Sequence, residues 1–153
     1  MKDNIEIERV WQETDFFMVK ITCSSEVIKA ITQTYITDEG IDELANLIGR
    51  FIYDYVEDNN ESPENYLWET GEKGDQSTAY VSMRFVRKDS LGHIQIEVYL
   101  ELDDGGSFSK HNCCFYVETE LGLLESFGKR LGRLKEQQIG TRVALSFSPD
   151  ETE

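Results

Sequence analysis

The chain has 153 residues, the length of one ordinary domain and hardly of two. Apolar residues make up 39% and charged residues 29%, a composition that supports a packed core and excludes wholesale disorder. With 30 acidic residues against 15 basic ones the net charge is −15. That excludes a general nucleic-acid binder, which needs clustered Lys and Arg, and docking on an anionic membrane surface.

No apolar run approaches the roughly 20 residues of a membrane span. The opening Met1-Lys2-Asp3-Asn4-Ile5-Glu6 is charged where a signal peptide is apolar. Cys23, Cys113 and Cys114 form no spaced pairs, and an odd count suits a reducing compartment better than a disulfide framework. A cytoplasmic location is the expectation.

In chain order, Ile5 and Ile7 suggest a strand, with Val10 and Trp11 one step out of phase. Phe17, Val19, Ile21 and Cys23 alternate with Met18, Lys20 and Thr22, the period of a half-buried strand. Val27 to Tyr35 continues as a third. At Thr37 the period changes. Ile41, Leu44, Ala45, Ile48, Phe51, Ile52 and Tyr55 recur at three- and four-residue steps, predicting a helix capped by Thr37 or Asp38 and ended before Pro63.

Tyr66, Leu67 and Trp68 resume a strand, with a turn at Gly71–Asp75. Ala79 to Val86 is the next strand, and Lys88–Gly92 the next turn. Ile94, Ile96, Val98, Leu100 and Leu102 alternate without a slip. Asp103–Gly106 then supplies hairpin-turn residues, and Phe108–Val117 returns as the partner strand. A second amphipathic helix is predicted near Thr119–Gln137 with Leu121, Leu124, Phe127, Leu131 and Leu134 as its stripe. Val143, Leu145 and Phe147 predict a last short strand.

Strands in adjacent runs rather than alternation with helices give an α+β class. The expected architecture is a single antiparallel sheet of about six to eight strands with two helices on one face. Residues 1–153 read as one domain, fraying at 1–3 and 150–153. Leu44, Ile48, Phe51, Leu124, Phe127 and Leu131 are the expected helical core. One echo stands out: Ile41, Leu44-Ala45 and Ile48-Gly49-Arg50-Phe51 match Leu124, Phe127-Gly128 and Leu131-Gly132-Arg133-Leu134 at constant offset. A duplicated strand-strand-helix unit accounts for it; so does convergence of two packed helices on small residues where backbones approach.

No catalytic signature emerges, and no cofactor or metal is expected. His111 and Cys113, at i and i+2 of a strand, are the one Cys–His adjacency, set in an acidic background that opposes thiolate formation. There is no C-x-x-C, H-E-x-x-H or phosphate-binding glycine loop. Gly105-Gly106-Ser107-Phe108-Ser109 is not a nucleophile elbow.

Charge is the informative feature. Between Thr37 and Asp75 stand twelve acidic residues and only Arg50 and Lys73 as bases. Asp42, Glu43, Asp54 and Glu57 fall opposite the apolar stripe of the first helix, with Tyr53 at its edge. A solvated helix face is one reading. The other is a docking surface for a basic protein, formed by Asp42, Glu43, Tyr53, Asp54, Glu57, Tyr66 and Trp68, with carboxylates that steer and aromatics that anchor.

Several features together resemble the small acidic immunity proteins encoded beside bacterial polymorphic toxins, of the WapI-like type. They are the opening strand ending in Trp11, the passage from Tyr35 through Leu44-Ala45, and the Trp68-Glu69 strand. The Gly92 turn with its Ile94–Leu102 strand, and Phe115–Glu118 leading into Leu121, Phe127 and Leu131, extend the similarity. It lies in element order and apolar positions, and transfers no residue role. The resemblance implies non-enzymatic neutralisation of a cognate toxin domain. Two alternatives stay open: a small-ligand or enzyme domain using His93, His111 and Cys113, and a structural or regulatory subunit with an aromatic oligomer interface. The sequence leaves the oligomeric state unassigned.

Overall fold

The structure, a computed structural model, describes residues 3–12, 16–73, 78–102, 111–136 and 138–146. It opens with an antiparallel meander of β1 (Asn4–Gln12), β2 (Phe17–Ser24) and β3 (Lys29–Ile36). Ile5, Ile7 and Arg9 point inward, then the register against β2 slips between Arg9 and Trp11. That bulge is the phase break seen in the sequence, and it leaves Trp11 exposed.

Helix α1 (Asp38–Val56) follows, with Thr37 in an extended conformation and its hydroxyl accepting the Gly40 N–H at 3.0 Å. Asp38 and Glu39 in the first turn complement the helix dipole. A short 3₁₀ helix at Pro63–Tyr66 leads into β4 (Leu67–Thr70). A second meander comprises β5 (Val81–Arg87), β6 (His93–Leu102) and β7 (His111–Glu120). Then come α2 (Leu121–Arg130), a 3₁₀ turn at Leu131–Lys135 and β8 (Arg142–Ala144).

The expectation of one sheet does not hold. The α+β fold has two four-stranded antiparallel sheets, in orders β3-β2-β1-β8 and β4-β5-β6-β7. The reason lies in β3, whose inward residues include Thr32 and Thr34, both buried. Thr32 donates its hydroxyl to the Glu101 carbonyl and Thr34 to the Ala79 carbonyl, each at 2.7 Å, while Thr70 donates to the Tyr35 carbonyl at 3.0 Å. Side-chain hydroxyls thus satisfy backbone groups where a strand ladder would otherwise continue the sheet.

Three strands, a helix and one more strand occur twice along the chain, and the strand after each helix joins the other meander. β4 pairs with β5, and β8 pairs with β1. One core runs through both sheets and both helices, including all six residues expected from the sequence. The helices touch where Gly128 meets Ile48. The second helix is shorter than expected. It tightens to 3₁₀ at Leu131, where Leu131 and Leu134, three residues apart, both reach the core and Gly132 weakens the α-helix.

Arg9 lies buried against this 3₁₀ turn. Its Nη1 donates to the Leu134 carbonyl at 2.7 Å, and its guanidinium stacks 3.8 Å from the centroid of Phe17. The predicted Asp103–Gly106 turn, Phe108, Phe147 and the acidic tail lie outside the described residues. No helix among those described is long and apolar enough to cross a membrane.

Candidate functional site

The exposed face of α1 follows from helical spacing: Ile41, Leu44, Leu47, Ile48, Phe51 and Tyr55 turn to the core, and Asp42, Glu43, Asn46, Arg50, Tyr53 and Glu57 face out. Of the seven residues expected there, Asp42, Glu43, Tyr53 and Glu57 are exposed, Tyr53 by 66%. Asp42 forms an ion pair with Lys135 at 2.8 Å, and this hydrogen bond raises the lysine pKa above its ordinary value. Asp54 is half-buried and accepts the Tyr66 hydroxyl at 2.7 Å.

Tyr66 and Trp68 need correction as contact anchors, because they are 1% and 3% exposed. Tyr66 packs edge-on to Phe51, with ring centroids 5.1 Å apart, and its hydroxyl also accepts the Glu61 N–H. Burial, foremost among several influences, pushes its phenol pKa up. Trp68 donates its indole N–H to the Gly40 carbonyl at 3.1 Å. Both brace the acidic face from beneath.

The cation of α1 is drawn aside. Arg50 donates to the Asn65 carbonyl at 2.5 Å, lies near Glu61 and stacks over Tyr66. The carboxylates of Glu39, Glu43 and Glu57 are left without hydrogen-bond or ion-pair partners among the described residues.

Two adjoining open depressions run between α1 and β4. Both are lined by Glu43 and Glu69; one adds Glu39, Phe16 and Tyr35, the other Leu47 and Leu67. Glu69 accepts the Tyr80 hydroxyl at 2.5 Å, and burial, reinforced by that carboxylate, pushes the phenol pKa up to about 12. The first depression continues onto the outer face of the first sheet, where Trp11, Phe16 and Tyr35 form an aromatic cluster. Tyr35 stands edge-on to both, with centroids 6.3 Å from Trp11 and 5.0 Å from Phe16. Val10, Met18 and Gln33 extend the patch.

The surface expected from the sequence does not include these aromatics. The signal was present: with Phe17 inward, alternation puts Phe16 and Met18 outside, and the phase break exposes Trp11.

The residues of the enzyme alternative do not converge. His93 lies opposite Glu120 at one end of the β6–β7 ladder, and Cys113 lies opposite Leu100, seven residues along β6, which is roughly 23 Å of strand. His93 instead bonds Asp89 at 2.7 Å, which lowers the carboxyl pKa. Cys23 is buried, and burial raises its thiol pKa. No group of three or more metal-ligating side chains stands together among the described residues. No family model matches the chain, and no curated protein matches it in sequence.

Proposed function

We propose that this chain is a non-enzymatic protein-binding module, a cytoplasmic immunity protein that neutralises a basic toxin domain. The observation that carries the reading is the contiguity of two features at one groove. Unpartnered carboxylates at Glu39 and Glu43 adjoin the surface cluster of exposed Trp11 and Phe16 with half-buried Tyr35. Exposed aromatics anchor interfaces, and surrounding charge selects a partner and speeds encounter. The net charge of −15 makes that partner basic. The toxin assignment is supported by the resemblance in element order. The repeated order of three strands, helix and strand supports a duplicated unit.

Affinity purification from the native host identifies the partner, and surface plasmon resonance at two ionic strengths then tests the surface. Glu39→Lys, Glu43→Lys and Glu57→Lys together should slow association about tenfold or more. Wild-type association should slow as salt rises. Trp11→Ala should speed dissociation instead. Salt-independent association that is also insensitive to the triple reversal overturns the reading.

A further inference from the structure

Strand edges expose backbone donors and acceptors, and proteins protect them by shortness, Lys, Pro, bulges or cover. Among the described residues, three of the four sheet edges are managed. β4 has four residues and β8 three. β3 lies against the second sheet, with Thr70 donating to the Tyr35 carbonyl and the Tyr35 N–H 3.5 Å from the Thr78 hydroxyl. β7 differs. It runs ten residues with no Pro, Lys or Arg, and pairs with β6 through ten positions without a register shift.

Its outward groups can be identified. The Leu121 N–H bonds the Gly92 carbonyl across the β6 side, whereas the Glu118 N–H points away to the Asp3 carboxylate at 2.8 Å. Alternation therefore turns the N–H and C=O of Asn112, Cys114 and Tyr116 away from β6. Among the described residues nothing bonds these groups.

The core is also thin at this edge. Phe115 and Cys113 are only partly buried, although Val98 and Leu100 opposite them on β6 are fully buried. Another strand alongside would cover both. One end of the edge carries Asp3, Glu118 and Glu120 around a small depression with Lys88. A second copy of this chain, also at −15, is a poor occupant.

We propose that the free edge of β7 receives an extended segment of a basic protein, which adds a fifth strand to the second sheet. Backbone hydrogen bonds supply affinity, and alternate side chains supply selectivity. Apolar ones lie over Phe115 and Cys113, and cationic ones lie near the carboxylates at the end. The partner's basic character rests on the function proposed above; the edge geometry does not.

The test uses the intact chain and an acetylated octapeptide alternating Lys and Val, followed by amide hydrogen exchange. In millimolar peptide, exchange at Asn112, Cys114 and Tyr116 should slow about threefold to tenfold or more. The same peptide N-methylated at alternate residues should lose the effect, as should one alternating Glu and Val. Cys114→Pro removes only an outward N–H and should weaken binding about threefold to tenfold. Should that variant misfold, the N-methylated peptide on the unaltered chain decides the matter. Binding should persist in the Glu39, Glu43 and Glu57 reversal, which separates this edge from the α1 surface. Unchanged exchange at the three amides, equal slowing by the Glu–Val peptide, or slowing that follows protein concentration without peptide overturns the proposal. Peptide binding confined to the α1 groove overturns it while leaving the proposed function standing.

Discussion

Gly128→Ala sets two effects of known sign against each other at the helix crossing. In an α-helix Ala is favoured over Gly by about 1 kcal/mol. A Cβ at Gly128 would stand 2.9 Å from Ile48 Cγ2 and 3.5 Å from Ile48 Cβ. Ile48 is 1% exposed and β-branched, so it cannot swing aside; overpacking of that kind costs about 1–3 kcal/mol. The net expectation is a loss of about 0–2 kcal/mol. Gly49→Ala is the matched control, because its Cβ would meet nothing within 4 Å, and it should gain about 1 kcal/mol. Ile48→Val keeps a methyl at the Cγ2 position and should not relieve the clash. Ile48→Ala removes it, so in that background Gly128→Ala should become stabilising, a coupling of about 1–3 kcal/mol. Urea melts of the four-member cycle measure this. If Gly128→Ala proves as stabilising as Gly49→Ala in the wild-type background, the helices do not meet there.

Phe51→Ala and Phe127→Ala, both at fully buried sites, should each cost about 3–5 kcal/mol in a denaturant melt; a change below about 1 kcal/mol contradicts the packing. Tyr80 holds its proton more tightly folded than unfolded, so its contribution is whole below pH 10.0 and is lost as pH rises through about 12. Tyr80→Phe should flatten part of that alkaline decline, read as melting temperature against pH. Iodoacetamide should label exposed Cys114 first and buried Cys23 only on unfolding; prompt labelling of Cys23 contradicts its burial.

Hydrophobic period made most elements legible. Thr37 and the stripe from Ile41 to Tyr55 mark out α1, which spans Asp38–Val56 and ends ahead of Pro63 as expected. The division into two sheets was hidden, because alternation says which face of a strand is buried but not which strand lies beside it. The β1–β8 pairing is such a case: only a three-residue strand marks it. At the candidate site, the carboxylates of α1 were readable from spacing, whereas Tyr66 and Trp68 looked like surface aromatics. Their burial depends on the 3₁₀ turn that tucks Tyr66 under Phe51, and on a carbonyl of α1 that accepts the Trp68 indole.

The exchange of β4 and β8 between meanders has a kinetic consequence. Glu6 lies opposite Ala144, so the first sheet reaches its full width only after nearly the whole chain has emerged. Contacts so distant in sequence raise contact order and slow folding. A cut between β4 and β5 would leave each fragment without the strand that borders its own meander, and β4 and β8 would each travel with the wrong half. Two such fragments should regain native structure only by complementation with each other, each donating the strand its partner lacks.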